Sequence, residues 1–214
     1  MDTLVEIVFV VLLGINFAFA GARRIFHCIR LTAIQGMLLS VLGYLLSHGG
    51  VEIAMLSTVN FIVKGFVLPL LLKKAVLRSG ARRELEPLAG YSISLICVAV
   101  VTAVAFAVCR RSAMIPALSI ITMFTGLFLI IFRKKAITQV IGFLVFENGI
   151  AIFASGMAVH YGLVIELGIL LDVFVLVFIM GIAAFQINRE FEHIDIDRLH
   201  QLVEPESQSE GQSK

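Results

Sequence analysis

The sequence predicts an all-α, polytopic membrane protein of about seven transmembrane helices, and three observations carry that prediction. Of 214 residues, 59% are hydrophobic and only 15% charged, with a mean hydropathy of +1.01, more apolar surface than one soluble core could hide. The apolar residues fall in runs of about 18 or more, the length that crosses a hydrocarbon layer at roughly 1.5 Å per residue. The basic residues then segregate to one side of the topology that these runs imply.

Seven runs qualify, at about 3–22, 28–47, 51–72, 91–109, 113–132, 137–159 and 163–187. The first imitates a secretory leader, because Ala18-Phe19-Ala20 before Gly21 resembles a small-residue cleavage site. Its flanks contradict this: Asp2 and Glu6 open it and Arg23 and Arg24 follow it, the reverse of a basic n-region. An uncleaved first helix with its N-terminus outside is therefore expected. The connections at Ser47-His48-Gly49-Gly50 and His160-Tyr161-Gly162 are short enough to make tight antiparallel hairpins. Pro116 opens its helix harmlessly, whereas Pro69, near the end of the third run, is expected to kink or loosen it. After Gln186 the mixed-charge stretch NREFEHIDIDRLHQL reads as a short helix or arm at the cytoplasmic surface, and EPESQSEGQSK as a disordered tail.

The cations test the count of spans. One side receives Arg23, Arg24, Arg30, Lys73, Lys74, Arg78, Arg82, Arg83, Arg133, Lys134, Lys135, Arg189, Arg198 and Lys214; the other receives Arg110 and Arg111. The rich side is cytoplasmic by the positive-inside rule, giving an N-out, C-in chain with an odd number of spans. The units are then a first three-helix membrane unit over 1–75, a basic loop and connector helix over 76–112, a second three-helix unit with its cytoplasmic exit over 113–200, and the tail over 201–214. An offset of 112 residues lays 3–22 on 115–134, 28–47 on 140–159 and 51–72 on 163–184, with Gly14 on Gly126, Gln35 on Glu147 and Asn60 on Asp172. A parallel repeat of the three-helix unit is one reading. The other is that any two membrane hairpins align this well.

Polar residues inside the apolar runs carry what the sequence says of chemistry. An ionised carboxylate at mid-bilayer depth costs roughly 2.5–3.5 kcal/mol on insertion scales unless it faces protein or water. Glu147 stands about ten residues from the cytoplasmic end of its helix, and Asp172 lies near the middle of the next, so the hairpin brings both to one depth. Ala151, Ala154 and Ala158 share the Glu147 face, and Gly168, Ala183 and Gln186 the Asp172 face. Small residues beside an acid leave room for a close helix or for water. Asn60 and Lys64 stack at i, i+4 in the third run, with Gln35 on its hairpin partner. Lys64 is the one intramembrane cation, and its natural counter-ion is one of the two acids.

Two readings of this set stand. In one, Lys64, Glu147 and Asp172 form a fixed ionic network that selects helix partners, with Gln35, Asn60 and Asn148 hydrogen-bonding between helices. In the other they are a proton relay, since burial and mutual attraction oppose one another and a small rearrangement moves a proton between neighbours. Three ionisable groups at one depth are expensive for packing alone, which is the argument for the relay. His48 and His160 read as surface loop residues, and Cys28, Cys97 and Cys109 as small packing residues. Their spacings give no zinc, iron–sulfur or haem site, so no metal or cofactor is expected. There is no nucleophile with its base and no basic patch of the nucleic-acid type; the chain is not expected to be catalytic alone.

The stretch from Arg133 to Asp195 has a basic start, Ile141-Gly142, a mid-helix acid followed by Asn148, a short outer loop, an acid in the next helix, and His193-Ile194-Asp195 after a charged exit. Over roughly 113–200 it resembles the small three-helix K-type subunit of complex I. With its extra N-terminal helices, nearly all of the chain except the tail resembles hydrogenase-4 component E, a membrane subunit of formate hydrogenlyase-type and other group 4 hydrogenase complexes. The chain departs from the K-type pattern at the first carboxylate, where Leu144 stands two residues after the glycine and Glu147 follows one turn along; Asp172 matches the second across a gap of about two residues. The resemblance implies a multi-pass subunit of the bacterial inner membrane that couples redox chemistry in a peripheral arm to proton or sodium translocation. Its partners would be an antiporter-like membrane subunit, a quinone-channel-like membrane subunit and the nickel–iron hydrogenase arm. Subunit of a multisubunit cation/proton antiporter and purely structural scaffold are the alternatives.

Overall fold

The computed structural model describes residues 3–46, 51–78, 90–109, 114–133 and 135–156, with residues 168, 171, 172, 174, 175 and 178. The helices are α1 (Thr3–Gly21), α2 (Ile25–Leu46), α3 (Val51–Ile62), a π-helical turn (Val63–Val67), α4 (Leu68–Arg78), α5 (Tyr91–Val108), α6 (Met114–Phe132) and α7 (Ala136–Gly156). Residues Gly168, Leu171, Asp172, Phe174, Val175 and Phe178 are helical as well. Among the described residues, four helices, α1, α2, α6 and α7, are long and apolar enough to cross a membrane, and α5 carries a shorter apolar stretch over Ser92–Val108. The architecture is an all-helical membrane protein. Both expected hairpin turns, most of the seventh run, the cytoplasmic exit and the tail lie outside the described residues.

The element bounds follow local chemistry. Between α1 and α2 the chain reverses within three residues, Ala22 N–H bonding Phe19 O at 3.3 Å and His27 N–H bonding Arg24 O at 3.0 Å. Gly90 precedes α5 and accepts bonds from the Ser94 amide at 3.1 Å and the Ser94 hydroxyl at 3.3 Å. The third run differs from the simple kink expected at Pro69. The helix widens just before it, with the Leu68 amide bonding Val63 O across five residues, and then continues through Pro69 in α4. Proline has no N–H, and its ring presses on the carbonyl four residues back; a π turn shifts that carbonyl and absorbs the mismatch.

Between helices in lipid there is no hydrophobic drive, so close approach must come from small residues. The α6–α7 pair shows this at three glycines. A Cβ on Gly126 would stand 2.3 Å from the Phe146 nitrogen, one on Gly142 would stand 2.9 Å from Gly126 O, and one on Gly149 would stand 2.6 Å from the Met123 nitrogen. Ser119 Oγ, buried on α6, donates to Gly149 O at 2.8 Å and ties the two backbones directly. On the other side α1 packs against α2, α5 and α6, where Asn16 Nδ2 donates to Thr122 Oγ1 at 3.0 Å. A core of Phe19, Ile25, Leu68, Leu72, Leu129, Ile141 and Val145 joins α1, α2, α4, α6 and α7. Leu4, Ile7 and Val10 on α1 and Ile93, Ile96 and Val100 on α5 are exposed, as befits helices that face lipid.

The pairs related by the 112-residue offset, α1 with α6 and α2 with α7, are in contact. Their packing is not equivalent, because a Cβ on Gly14 would meet nothing within 4 Å. Gly126→Ala should therefore cost about 1–3 kcal/mol through overpacking against backbone, whereas Gly14→Ala should be neutral or gain a few tenths through helix propensity. Thermal unfolding of both variants in detergent checks this; equal melting temperatures would contradict the close approach.

Candidate functional site

Four segments converge on one buried polar cluster: α2 brings Gln35, the π turn Lys64, α7 Glu147 and Asn148, and the helical residues after Gly168 bring Asp172. All five side chains are at least 95% buried. Glycines let the backbones come this close. A Cβ on Gly36 of α2 would stand 2.6 Å from Lys64 Cβ, and one on Gly65 would stand 2.9 Å from Met37 Cγ, so the π turn rests on α2 with glycine on each side. A Cβ on Gly168 would touch Glu147 Oε1 at 3.4 Å, which puts this small residue beside the glutamate.

The ammonium of Lys64 is the centre of the cluster. It donates to Glu147 Oε1 at 2.7 Å and to Asn148 Oδ1 at 3.0 Å, and Asp172 Oδ2 stands 3.8 Å away. Asn148 Nδ2 in turn donates to Gln35 Oε1 at 3.4 Å, so the bonds run from Glu147 through the lysine and asparagine to α2. A lysine has three N–H donors; two are spent on these bonds, and Asp172 Oδ2 at 3.8 Å is beyond hydrogen-bond distance. Glu147 Oε2, both Asp172 oxygens and Gln35 Nε2 are buried with no hydrogen-bond partner among the described residues. With all three groups ionised the cluster carries two negative charges and one positive. A pair of unit charges about 4 Å apart gains about 4 kcal/mol at an effective dielectric of 20, which offsets much of the roughly 5–7 kcal/mol of placing both at mid-bilayer at about 2.5–3.5 kcal/mol each. One more proton on the cluster makes it neutral.

Of the six polar residues singled out in the sequence, five meet here. Asn60, one turn before Lys64, is half-buried, and its Oδ1 has no hydrogen-bond partner among the described residues. A cavity of about 10 Å³ abuts the cluster, lined by Thr32, Lys64, Leu68, Pro69, Leu72, Leu144 and Asn148, about the space of one water. Two larger apolar grooves, one beside Tyr44 and Phe61 and one beside Phe143 and Phe178, contain none of the cluster residues. Arg133 reads in sequence as one of three cytoplasmic cations. The structure buries it at 1% exposure, and its Nη2 donates to Ala22 O at 3.4 Å, holding the α1–α2 turn against the α6–α7 connection. Nothing in the residue pattern separates it from Lys134 and Lys135.

Breaking a buried pair by removing one partner costs about 3–5 kcal/mol, because the other charge is left uncompensated. Lys64→Met should show that loss in thermal unfolding, and Lys64→Met combined with Glu147→Gln should recover much of it. Additive losses in this double-mutant cycle would mean that the two side chains are not coupled.

No family model matches the chain, and no solved structure matches it. Over 150 residues it is 33% identical to the "Uncharacterized protein Rv0085" of Mycobacterium tuberculosis (strain ATCC 25618 / H37Rv), a match covering 65% of this chain and 68% of that protein. At that identity and coverage, the chain belongs to the same family as the uncharacterized protein Rv0085.

Proposed function

We propose that this chain is an integral membrane subunit of an energy-converting, formate hydrogenlyase-like complex, in which Glu147, Asp172 and Lys64 pass protons across the bilayer while redox chemistry runs in a peripheral arm. The observation that carries the reading is the burial of these three ionisable groups among apolar helices, with a carboxylate oxygen of each acid within 3.8 Å of the Lys64 ammonium. Such groups in a membrane segment mark ion pathways and proton relays more often than packing. The carboxyls accept and release the proton, the lysine tunes them by its fixed charge, and Gln35, Asn60 and Asn148 support the arrangement. The hydrogenase setting is supported by the resemblance to component E and to the K-type subunit. In that setting the chain has seven spans, N-out and C-in, in the bacterial inner membrane. It works beside an antiporter-like subunit, a quinone-channel-like subunit and a nickel–iron arm, and it is not catalytic alone.

The test is proton translocation in membranes carrying the assembled complex, comparing wild type with Glu147→Gln and verifying assembly in the same preparation. Removing a proton-transfer group costs on the order of 10²-fold or more, so pumping should fall at least that far while the complex remains intact. Unchanged pumping would make Glu147 a packing residue and the chain a scaffold. Sodium- or lithium-dependent exchange with no redox partner would assign it instead to a multisubunit cation/proton antiporter.

A further inference from the structure

The atoms around the Lys64 ammonium form a ligand set for a hard cation. Glu147 Oε1 stands at 2.7 Å and Asn148 Oδ1 at 3.0 Å, with Asp172 Oδ2 at 3.8 Å. Glu147 Oε2 and Asp172 Oδ1 are also buried there, without hydrogen-bond partners among the described residues. Carboxylate and carbonyl oxygens suit hard ions such as magnesium or calcium rather than transition metals, and sodium is hard in the same sense. The place such an ion would take is filled by a cation bonded to the chain itself.

We propose that Lys64 is a tethered cation occupying a monovalent-cation site built by Glu147, Asn148 and Asp172, and that its presence makes the cluster respond to protons and exclude sodium. The inference rests on the proton-translocation reading above and names the ion for it.

Three features of the site support this. The ammonium is held in place, because its backbone is pressed on Gly36, where a Cβ would stand 2.6 Å from Lys64 Cβ. The contact fixes the stem of the side chain beside the oxygens, so that the ammonium is delivered from an anchored Cβ. Coordination acts in the same direction: sodium entering beside the ammonium would have to share oxygens that already hold it, while a proton needs only one carboxyl oxygen. Space is the third constraint. The cavity beside Lys64, about 10 Å³, has room for about one water, and neither Glu147 nor Asp172 lines it, so an ion there would lack the carboxylates. Shortening Lys64 to alanine would merge that cavity with the volume of the lysine side chain and expose the oxygens.

The experiment measures binding of radioactive sodium to the purified full chain in detergent, for wild type, Glu147→Gln, Lys64→Ala and the Lys64→Ala, Glu147→Gln double variant. Wild type should show no saturable binding, Lys64→Ala should bind one equivalent, and the double variant should lose it. Removing Lys64 also leaves two acids without their cation, so each protein is prepared in parallel in sodium chloride and in choline chloride and its melting temperature compared. Sodium should raise the melting temperature of Lys64→Ala and leave wild type unchanged. Saturable sodium binding by wild type that Glu147→Gln abolishes would overturn the proposal. So would a Lys64→Ala protein that sodium neither binds nor stabilises, or one that cannot be isolated in either salt. Binding is read without turnover: sodium capture by Lys64→Ala together with pumping indifferent to Glu147→Gln would keep the cation site and discard the relay.

Discussion

The contact between Lys64 and Glu147, 2.7 Å across the middle of an apolar helical body, constrains everything near it. Neither charge could be inserted alone without a cost comparable to a substantial part of a protein's net stability. Their pairing fixes the register of the π turn against α7, and the bond from Asn148 to Gln35 carries that register on to α2. Once three elements are fixed at this depth, the close approaches around them become necessary. Gly36 and Gly65 lie where larger residues would hold the lysine away from its partners.

The two sides of the ion pair are held differently. Glu147 and Asn148 stand on a helix locked to α6 by Gly126, Gly142 and Gly149 and by the Ser119 hydroxyl bond. That contact is backbone against backbone, and interiors packed this closely do not deform continuously. The lysine stands instead in a π turn, a place where a helix has one residue more than its regular hydrogen bonding accommodates. The acid is thus presented by a rigid wall and the base by the one irregular turn in the run from Val51 to Arg78. The two roles proposed for them above, a carboxyl that exchanges and a cation that holds, fit a site whose acid is fixed by its helix and whose cation is carried by a turn seated on α2.

How much of this could be read beforehand differs by residue. The helical runs follow from hydropathy alone, and the depths of Lys64, Glu147 and Asp172 follow from counting along them, since rise per residue is fixed. Depth does not give azimuth. For that reason Asn60, one turn from Lys64, could be grouped with the cluster from its spacing, while the bonds seen there run instead through Asn148 to Gln35. Pro69 signals a disturbance, but not that the helix would resolve it by widening at Val63–Val67 and placing Lys64 inside the widened turn. Gly14 and Gly126 look alike in sequence, yet only the second is a backbone contact. Arg133 shows the same limit for charge: its burial depends on where α1 ends, at a carbonyl distant in sequence.

Charge is distributed unequally between the two halves of the chain. Under the 112-residue offset, Gln35 and Asn60 of the first half fall on Glu147 and Asp172 of the second, so amides stand where the other half has acids. Lys64 falls on Leu176, and the cation therefore has no counterpart. A cluster with its acids in one half and its cation in the other binds the halves through charge as well as through packing. A matched pair would have been enough for that, and it would be neutral. The second carboxyl, Asp172, 3.8 Å from the Lys64 ammonium and with neither oxygen hydrogen-bonded among the described residues, brings such a pair an excess negative charge. An excess charge in an apolar interior is costly until a proton joins it. An unmatched acid is therefore poor design for a scaffold and suitable design for a group that must take up a positive charge and give it back.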